Sequence, residues 1–395
     1  SIGINGSYRW AWGSGDESSI RGSVWATVFR QTIDQFGNAD YDVVEDRQDD
    51  NDIVVGNRTI FEQQTESGRI GIGVTQTLAS HDQRDRSFSA DGTTTVQDDR
   101  QSFRAYTGSI APEFRTSLDR VNVVAGAGLD LFATLESGDK PKQAAFIESN
   151  LVLAATYPVD SLWSLKIGLA RKSRFPSMRE LYGEALRRFL VNSDLAPESS
   201  VNLEAGVSIA LPDATLRVTP FLQLVSNTID QRRVDTLGQA RRQRINLEGS
   251  TVPGFEVVGT MRPFTWLSLT GDVTFSRPRQ QGQPDSVDAF LSEKPEIVAT
   301  ASAEIRGPER TRLAIEAQHT GEAYTLDTDN RFVRLGVSTV LNGRISWTYI
   351  AEKGELIAGL ELFVRLNNAL DAVSFPQLGL PAPGRELRGG CRLTL

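Results

Sequence analysis

Apolar and polar residues alternate along most of this chain. From Arg120 to Leu135, Val121, Val123, Ala125, Ala127, Leu129, Leu131, Ala133 and Leu135 share one face, while Asn122, Gly126, Gly128, Asp130 and Thr134 share the other. A period of two is that of a β-strand. It recurs from Val201 to Leu211 and from Leu356 to Leu366. Strands of soluble sandwiches run to about five or six residues with the apolar face inside. These alternate for ten to sixteen residues, and their second face carries Arg, Glu, Asp, Gly and Asn. Strands of about ten residues, apolar outward and polar inward, predict an all-β fold, a transmembrane antiparallel β-barrel. Tyr8, Trp10 and Trp12, and again Trp347 with Tyr349, share the apolar face beside expected turns. This is the placement of an interfacial aromatic girdle.

Turn signals divide the strands. Short turns are expected at 14–16, 66–68, 119, 158–160, 212–213, 263–265, 307–309 and 352–354. Longer connections fall at 37–57, 81–99, 138–142, 174–198, 229–241, 279–292, 325–330 and 373–384. The two kinds alternate, as do the short periplasmic turns and long external loops of outer-membrane barrels. The count is 17 strands, odd where single-chain bacterial barrels are even, so either one strand is miscounted or the chain begins partway round a barrel, which the strand-like start "SIGINGSYRW" favours.

Composition narrows the classes. With 39% apolar residues and a mean hydropathy of −0.27, no run approaches the roughly 18 apolar residues of a membrane-spanning helix. A net charge of −8 opposes binding to nucleic acid, whose phosphates call for a basic surface. Catalysis is not expected: His81 and His319 fall in an expected loop and near a strand end, with no Ser and carboxylate at triad spacing. No cofactor is expected, and the chain lacks the ligands of a His/Cys metal site. Cys391 lies on the apolar face with Leu387, Leu393 and Leu395, as a packed or lipid-facing thiol does.

One stretch has no such period: "RFPSMRELYG", followed by "NSDLAPESSVNLEAG". It resembles the central signature of TonB-dependent receptors through Arg174 and Pro176, Glu180, Leu181 and Tyr182, Leu195, Pro197 and Glu198, then Glu204 and Gly206. Gly254, Phe255 and Glu256 resemble the opening of a later family strand. Asn367, Asn368, Leu370 and Asp371, then Pro383, Gly384 and Arg385, resemble the family's ending. The match runs from about Arg174 to Leu395, whereas earlier residues match only as alternating strands. The resemblance implies a roughly 22-stranded barrel closed by a plug, in the bacterial outer membrane. It implies uptake of a scarce bulky ligand such as a ferric siderophore, cobalamin or a saccharide, driven by TonB. Residues 1–395 then read as one outer-membrane barrel domain, with the plug and first strands absent from this chain. The alternative is a plugless relative serving as a scaffold subunit among other outer-membrane subunits, or as a passive pore.

The motif residues are expected to be architectural, Pro setting φ where the wall ends and Glu204 facing a wet lumen. Two charge clusters remain. Arg187, Arg188, Arg232, Arg233, Arg241, Arg242 and Arg244 lie in or beside two external loops. They suit an anionic ferric chelate, lipopolysaccharide phosphates, or plain solvation. Asp40, Asp42, Glu45, Asp46, Asp49, Asp50 and Asp52 crowd one expected loop but lack the Gly and terminal Glu of an EF-hand, so a solvated loop is expected there.

Overall fold

Long alternating segments can satisfy their backbone only by pairing with neighbours, and the chain is built from such pairs. The computed structural model describes residues 1–13, 17–184, 189–236, 239–282, 289–327, 331–350 and 359–394. In chain order the elements are β1 (Ile2–Trp12), β2 (Ser18–Phe36), β3 (Val44–Thr65), β4 (Gly68–Phe88), β5 (Thr95–Leu118), β6 (Val121–Ser137), β7 (Phe146–Pro158) and β8 (Trp163–Arg174). A short helix α1 (Met178–Tyr182) follows, then β9 (Phe189–Leu190), β10 (Glu198–Leu211), β11 (Ala214–Ser226), β12 (Ile229–Thr236) and β13 (Gln239–Asn246). The rest are β14 (Gly249–Phe264), β15 (Leu267–Ser276), β16 (Arg279–Gln280), β17 (Ile297–Arg306), β18 (Thr311–Thr320), β19 (Ala323–Leu326), β20 (Phe332–Leu335), β21 (Ser338–Ile350), β22 (Gly359–Asn367) and β23 (Glu386–Thr394).

Eighteen of these strands belong to one sheet. The two-residue β16 continues β15 past Arg277 and Pro278 and pairs with the same neighbour, Ser250 opposite Gln280. Counting β15 and β16 as one wall strand gives the seventeen expected. No described helix is long and apolar enough to cross a membrane. The chain forms two compact units, one of Ser1–Ala155, Gly168–Asn202 and Val225–Gly249, the other of Thr156–Ile167, Leu203–Leu224 and Ser250–Leu395.

In the first unit β1 to β6 pair antiparallel in chain order. One face carries an apolar row, Ala26, Val55, Leu78 and Tyr106, in register across β2 to β5. Tyr8, Trp10 and Trp12 are exposed near the short-turn end, with Trp10 and Trp12 ring centroids 5.7 Å apart. Toward the other end, the apolar face turns polar. Successive rows read Arg30, Asn51, Asp82, Ser102; then Thr32, Asp49, Arg84, Arg100; then Asp34, Arg47, Arg86, Asp98. Ion pairs join these residues, Arg47 to Asp34 within a row, and Arg84 to Asp98 and Arg86 to Asp49 between rows.

This corrects two expected loops. Strands β2 to β5 are 19, 22, 21 and 24 residues long, about twice the nine to eleven that cross a bilayer. Residues 44–57 and 81–88 are therefore strand. The segment from Glu45 to Asp52 is not a solvated acidic loop, and His81 is a buried strand residue. Beyond the hydrocarbon neither face must be apolar, so apolar alternation stops although the ladder continues.

The second unit pairs β14, β15, β17, β18, β21, β22 and β23 in succession. Trp347 and Tyr349 are exposed with ring centroids 6.5 Å apart. At its long-loop end, β19 and β20 form a hairpin that buries Ala323, Thr325 and Leu335. Phe290 packs on Tyr324 at 4.4 Å, and the Arg279 guanidinium lies 3.9 Å from the Phe290 ring centre. The expected turns at 14–16 and 352–354 lie outside the described residues.

Gly56 shows why small residues recur on the inner face: a Cβ there would lie 2.4 Å from the Trp25 indole and 2.9 Å from the Gln76 carbonyl. Gly56→Val is expected to push Trp25 off this surface at a cost of about 1–3 kcal/mol. A lower temperature of heat-modifiability in gels, with a shifted Trp emission spectrum, checks it.

Candidate functional site

The aperiodic stretch is ordered by polar bonds around a small buried apolar cluster that includes Leu181, Tyr182 and Leu195. Arg174, at the end of β8, donates from Nε to Glu198 and from Nη1 to Glu180 at 2.8 Å. Pro176 follows, buried, and Ser177 caps α1: its Oγ accepts from the Glu180 N–H at 3.2 Å, and the Glu180 carboxylate accepts from the Ser177 N–H at 2.8 Å. This is a capping box, which satisfies two orphan donors of so short a helix. The second oxygen of Glu198 accepts from the Ile229 N–H, joining the start of β12 to the same knot. Burial pushes the Glu180 carboxyl up, but hydrogen bonds from Arg174 and Ser177 outweigh it and hold it below the usual glutamate value.

The helix is anchored by Leu181 and Tyr182, both buried. Tyr182 stacks on Phe103 at 5.1 Å and 11°, and Phe103 stacks in turn on His81 at 5.9 Å. The Tyr182 hydroxyl donates to Thr134 Oγ1 at 3.3 Å and accepts from the Gln143 N–H at 3.2 Å. Gln143 Nε2 donates to the carbonyl of buried Leu195 at 2.9 Å. Asn246 holds Ala196 from both sides, accepting its N–H at 2.8 Å and donating to its carbonyl at 3.0 Å; Pro197 is buried next to it.

A charged contact secures the other side of α1. Arg179 Nη2 lies 3.5 Å from Asp50, 3.7 Å from Asp52 and 3.2 Å from Gln31, and His81 Nδ1 is hydrogen-bonded to Asp52. The carboxylates of the expected acidic loop are thus divided. Asp50 and Asp52 serve α1, whereas Asp49 bonds Arg86 and Thr32 on the opposite face. Among the described residues, no group of three or more His, Cys, Asp or Glu side chains is placed to hold a metal ion.

The expected loop at 229–241 is the hairpin β12–β13, on which β9 adds a parallel strand. Its register separates the arginines: Arg232 and Arg241 fall on one face, positions 233, 242 and 244 on the other. Arg244 is structural, donating to the Gly183 carbonyl at 3.0 Å with its guanidinium 4.2 Å from the Phe189 ring centre. Burial pushes its pKa down, and the charge of Glu180 opposes that. Arg187 and Arg188 lie outside the described residues.

The remaining motif residues lie elsewhere. Glu204, on β10, pairs with Lys166 at 2.7 Å, and a Cβ at buried Gly206 would lie 3.3 Å from Thr219 Oγ1. In the second unit Asp371 accepts from the Arg385 N–H at 2.8 Å, next to Gly384, where a Cβ would come within 3.1 Å of that carboxylate. Asn367 bonds Glu386 at 3.3 Å, but its neighbour Asn368 is the buried residue. Asn368 Nδ2 donates to the carbonyls of Ala372, at 2.9 Å, and Pro383, at 3.3 Å. The sequence placed His81 in a loop and gave no signal for Phe103, Gln143, Arg179 and Asn246. Of these only Arg179 lay in the aperiodic stretch that marked the site.

Strands of this length and patterning, with polar loops folded at one end, define an outer-membrane β-barrel protein. The chain belongs to the TonB-dependent receptor family: the profile described as "TonB dependent receptor-like, beta-barrel" matches residues 2–369. Its place is therefore the bacterial outer membrane. Solved structures share the fold. The copper transporter OprC superposes with a TM-score of 0.76 at 12% identity, covering 98% of this chain and 64% of that one. The FrpB iron transporter from Neisseria meningitidis gives 0.69 at 15% identity, with 98% and 63% covered. The ferric yersiniabactin uptake receptor FyuA from Yersinia pestis gives 0.65 at 14% identity, with 94% and 56% covered. The chain spans less than two thirds of the length of each. No curated protein matches it.

Two outcomes are expected from the Arg174 knot. Arg174→Ala leaves Glu180 and Glu198 without their shared cation and should cost about 1–3 kcal/mol, discounted for the half-exposed guanidinium. Faster hydrogen exchange at 175–184, with the wall amides unchanged, checks it. The second concerns pH. A carboxyl held below its ordinary value contributes stability above that value and loses it as pH falls through the folded one. Corrected exchange of the α1 amides should be flat from neutral pH to about 4.3 and rise below it, and Glu180→Gln should abolish that acid limb.

Proposed function

We propose that this chain is the barrel part of an outer-membrane receptor that takes up a scarce, bulky ligand, such as a ferric siderophore, cobalamin or a saccharide. Energy comes from TonB through a plug domain that is not among these residues, and residues 1–395 form one barrel domain around it. The observation that carries this reading is the family match over 2–369. Likeness to proteins named as a copper transporter, an iron transporter and a ferric yersiniabactin uptake receptor supports uptake over catalysis. Within the described loops, Arg232 and Arg241 are the candidates for contact with an anionic ligand. They share one face of the β12–β13 hairpin and leave Arg244 to its structural contacts. Arg187, Arg188, Arg233 and Arg242 remain candidates from their loop positions alone, with lipopolysaccharide phosphates as the competing anion.

The test is uptake by cells carrying the complete gene product, offered a ferric catecholate, a ferric hydroxamate or cobalamin. Saturable uptake of one class is expected, lost when the inner-membrane proton gradient is collapsed while surface binding persists. Arg232→Ala with Arg241→Ala should weaken that binding several-fold without changing heat-modifiability. Passage indifferent to the gradient would make the protein a passive pore. Absence of uptake, with fixed co-purifying subunits, would make it a scaffold.

A further inference from the structure

The connection between β22 and β23 is unlike the other long loops. Residues 368–384 contain a single charged side chain, Asp371, in a chain with 23% charged residues. That carboxylate is taken by the Arg385 N–H. Five large apolar side chains are open instead: Leu370 at 63% exposure, Val373 at 74%, Phe375 at 45%, Leu378 at 50% and Leu380 at 59%. Exposed apolar side chains concentrated in one loop in this way mark an interaction site.

The loop is also ordered. Asn368 ties its two ends through Ala372 and Pro383, the Ala382 N–H donates to the Ser374 carbonyl at 2.8 Å, and the Leu380 N–H donates to the Gln377 carbonyl at 3.1 Å. Gln377 Nε2 reaches Glu293 at 3.3 Å, holding the loop beside the connection before β17. The exposed side chains are thus displayed on a fixed backbone.

Register sets the depth at which they are displayed. The Ala369 N–H donates to the Leu341 carbonyl at 2.7 Å, so the loop leaves the wall level with Leu341. Leu341 stands opposite Ala317, on the face that carries Ile345 and Trp347. One row further along that face the wall becomes polar, where His319 and Thr339 hydrogen-bond at 2.9 Å. The loop therefore begins at the upper edge of the lipid-facing band, and Leu387, 71% exposed, re-enters that band where the loop ends. Strand β22 ends at Asn367, two residues after the pair Arg344–Arg365, and β23 begins at Glu386, so no long extension lifts this loop into water.

We propose that residues 369–384 bed on the outer leaflet of the outer membrane, an interfacial anchor whose apolar side chains enter the lipid. The lipid is favoured as occupant because the loop leaves the wall at the edge of the lipid-facing band and its exposed side chains are apolar at that depth, and interfacial segments bind by buried apolar area at this boundary.

Spin-label depth measurement tests this in the full-length protein, reconstituted in vesicles of phosphatidylethanolamine and phosphatidylglycerol. In a Cys391→Ser background, which removes the exposed native thiol, nitroxides are placed one at a time through Val373→Cys and Leu378→Cys. Thr93→Cys, in the exposed polar connection after β4, is the aqueous reference. Heat-modifiability shows which labelled proteins are folded. Oxygen is expected to relax the labels at 373 and 378 several-fold more effectively, relative to a water-soluble nickel chelate, than it relaxes the label at 93. A ratio equal to that at 93 would place the loop in water and overturn the proposal. Exclusion of both reagents would also overturn it, since the patch would then be covered by protein, either the remainder of the polypeptide or a second copy. Two label sites keep the test decisive if one perturbs the loop.

Discussion

In hydrocarbon no solvent accepts or donates a hydrogen bond, so each backbone N–H and C=O must find its partner within the protein, and the inter-strand ladder is the structure's answer. Other features follow from that requirement. The ladder fixes side chains at period two and sorts each strand into a face that meets lipid and a face that does not. Ala26, Val55, Leu78 and Tyr106 form a row because the register aligns them, and the lipid decides that the row is apolar. On the other face the constraint is space. Glycine at 56 lets the Trp25 indole lie against the neighbouring strand, filling with one large side chain what two medium ones would crowd.

Where the chain leaves the wall the same requirement is met by side chains. Arg174, Ser177 and Glu180 bind one another, while Glu198, Gln143 and Asn246 serve N–H and carbonyl groups of Ile229, Leu195 and Ala196. This is why a stretch rich in Arg, Pro and Glu is ordered without an apolar period. Its lattice is polar, and a small apolar cluster, Leu181, Tyr182 and Leu195 packed with Phe103, Ala105 and Phe132, fixes α1 to strands β5 and β6. The last loop repeats the device with one residue, Asn368, whose amide bridges two ends of a chain segment that has no strand partner.

What the sequence made legible was whatever lipid dictates. Alternation identified the wall strands and their number, and the resemblance located the residues of the Arg174 knot. The strand extensions beyond the bilayer were not legible. From Asp46 to Asp52 and from His81 to Ser87 both faces are polar, so a test for apolar alternation reads them as loop although the ladder is unbroken there. The roles of His81, Asp50 and Asp52 were hidden for the same reason. They become intelligible only when register brings strands β3 and β4 beneath a helix that follows far later in the chain. Asn367 and Asn368 are chemically alike, and the positive φ of 47° at Asn368, rather than its identity, separates the locking residue from its neighbour.

The arginines of the β12–β13 hairpin show the limit of counting charges along a sequence. Seven arginines in two neighbouring loops suggest one strongly basic surface, but a β-hairpin assigns adjacent residues to opposite faces. Arg241 and Arg242 point apart for the reason that Val121 and Asn122 do. Arg244 donates to the Gly183 carbonyl and lies over the Phe189 ring, next to a glutamate already bound by Arg174, so its charge adds to the knot. A count of arginines along the sequence therefore overstates the charge on either face of the hairpin, because register divides them between two faces.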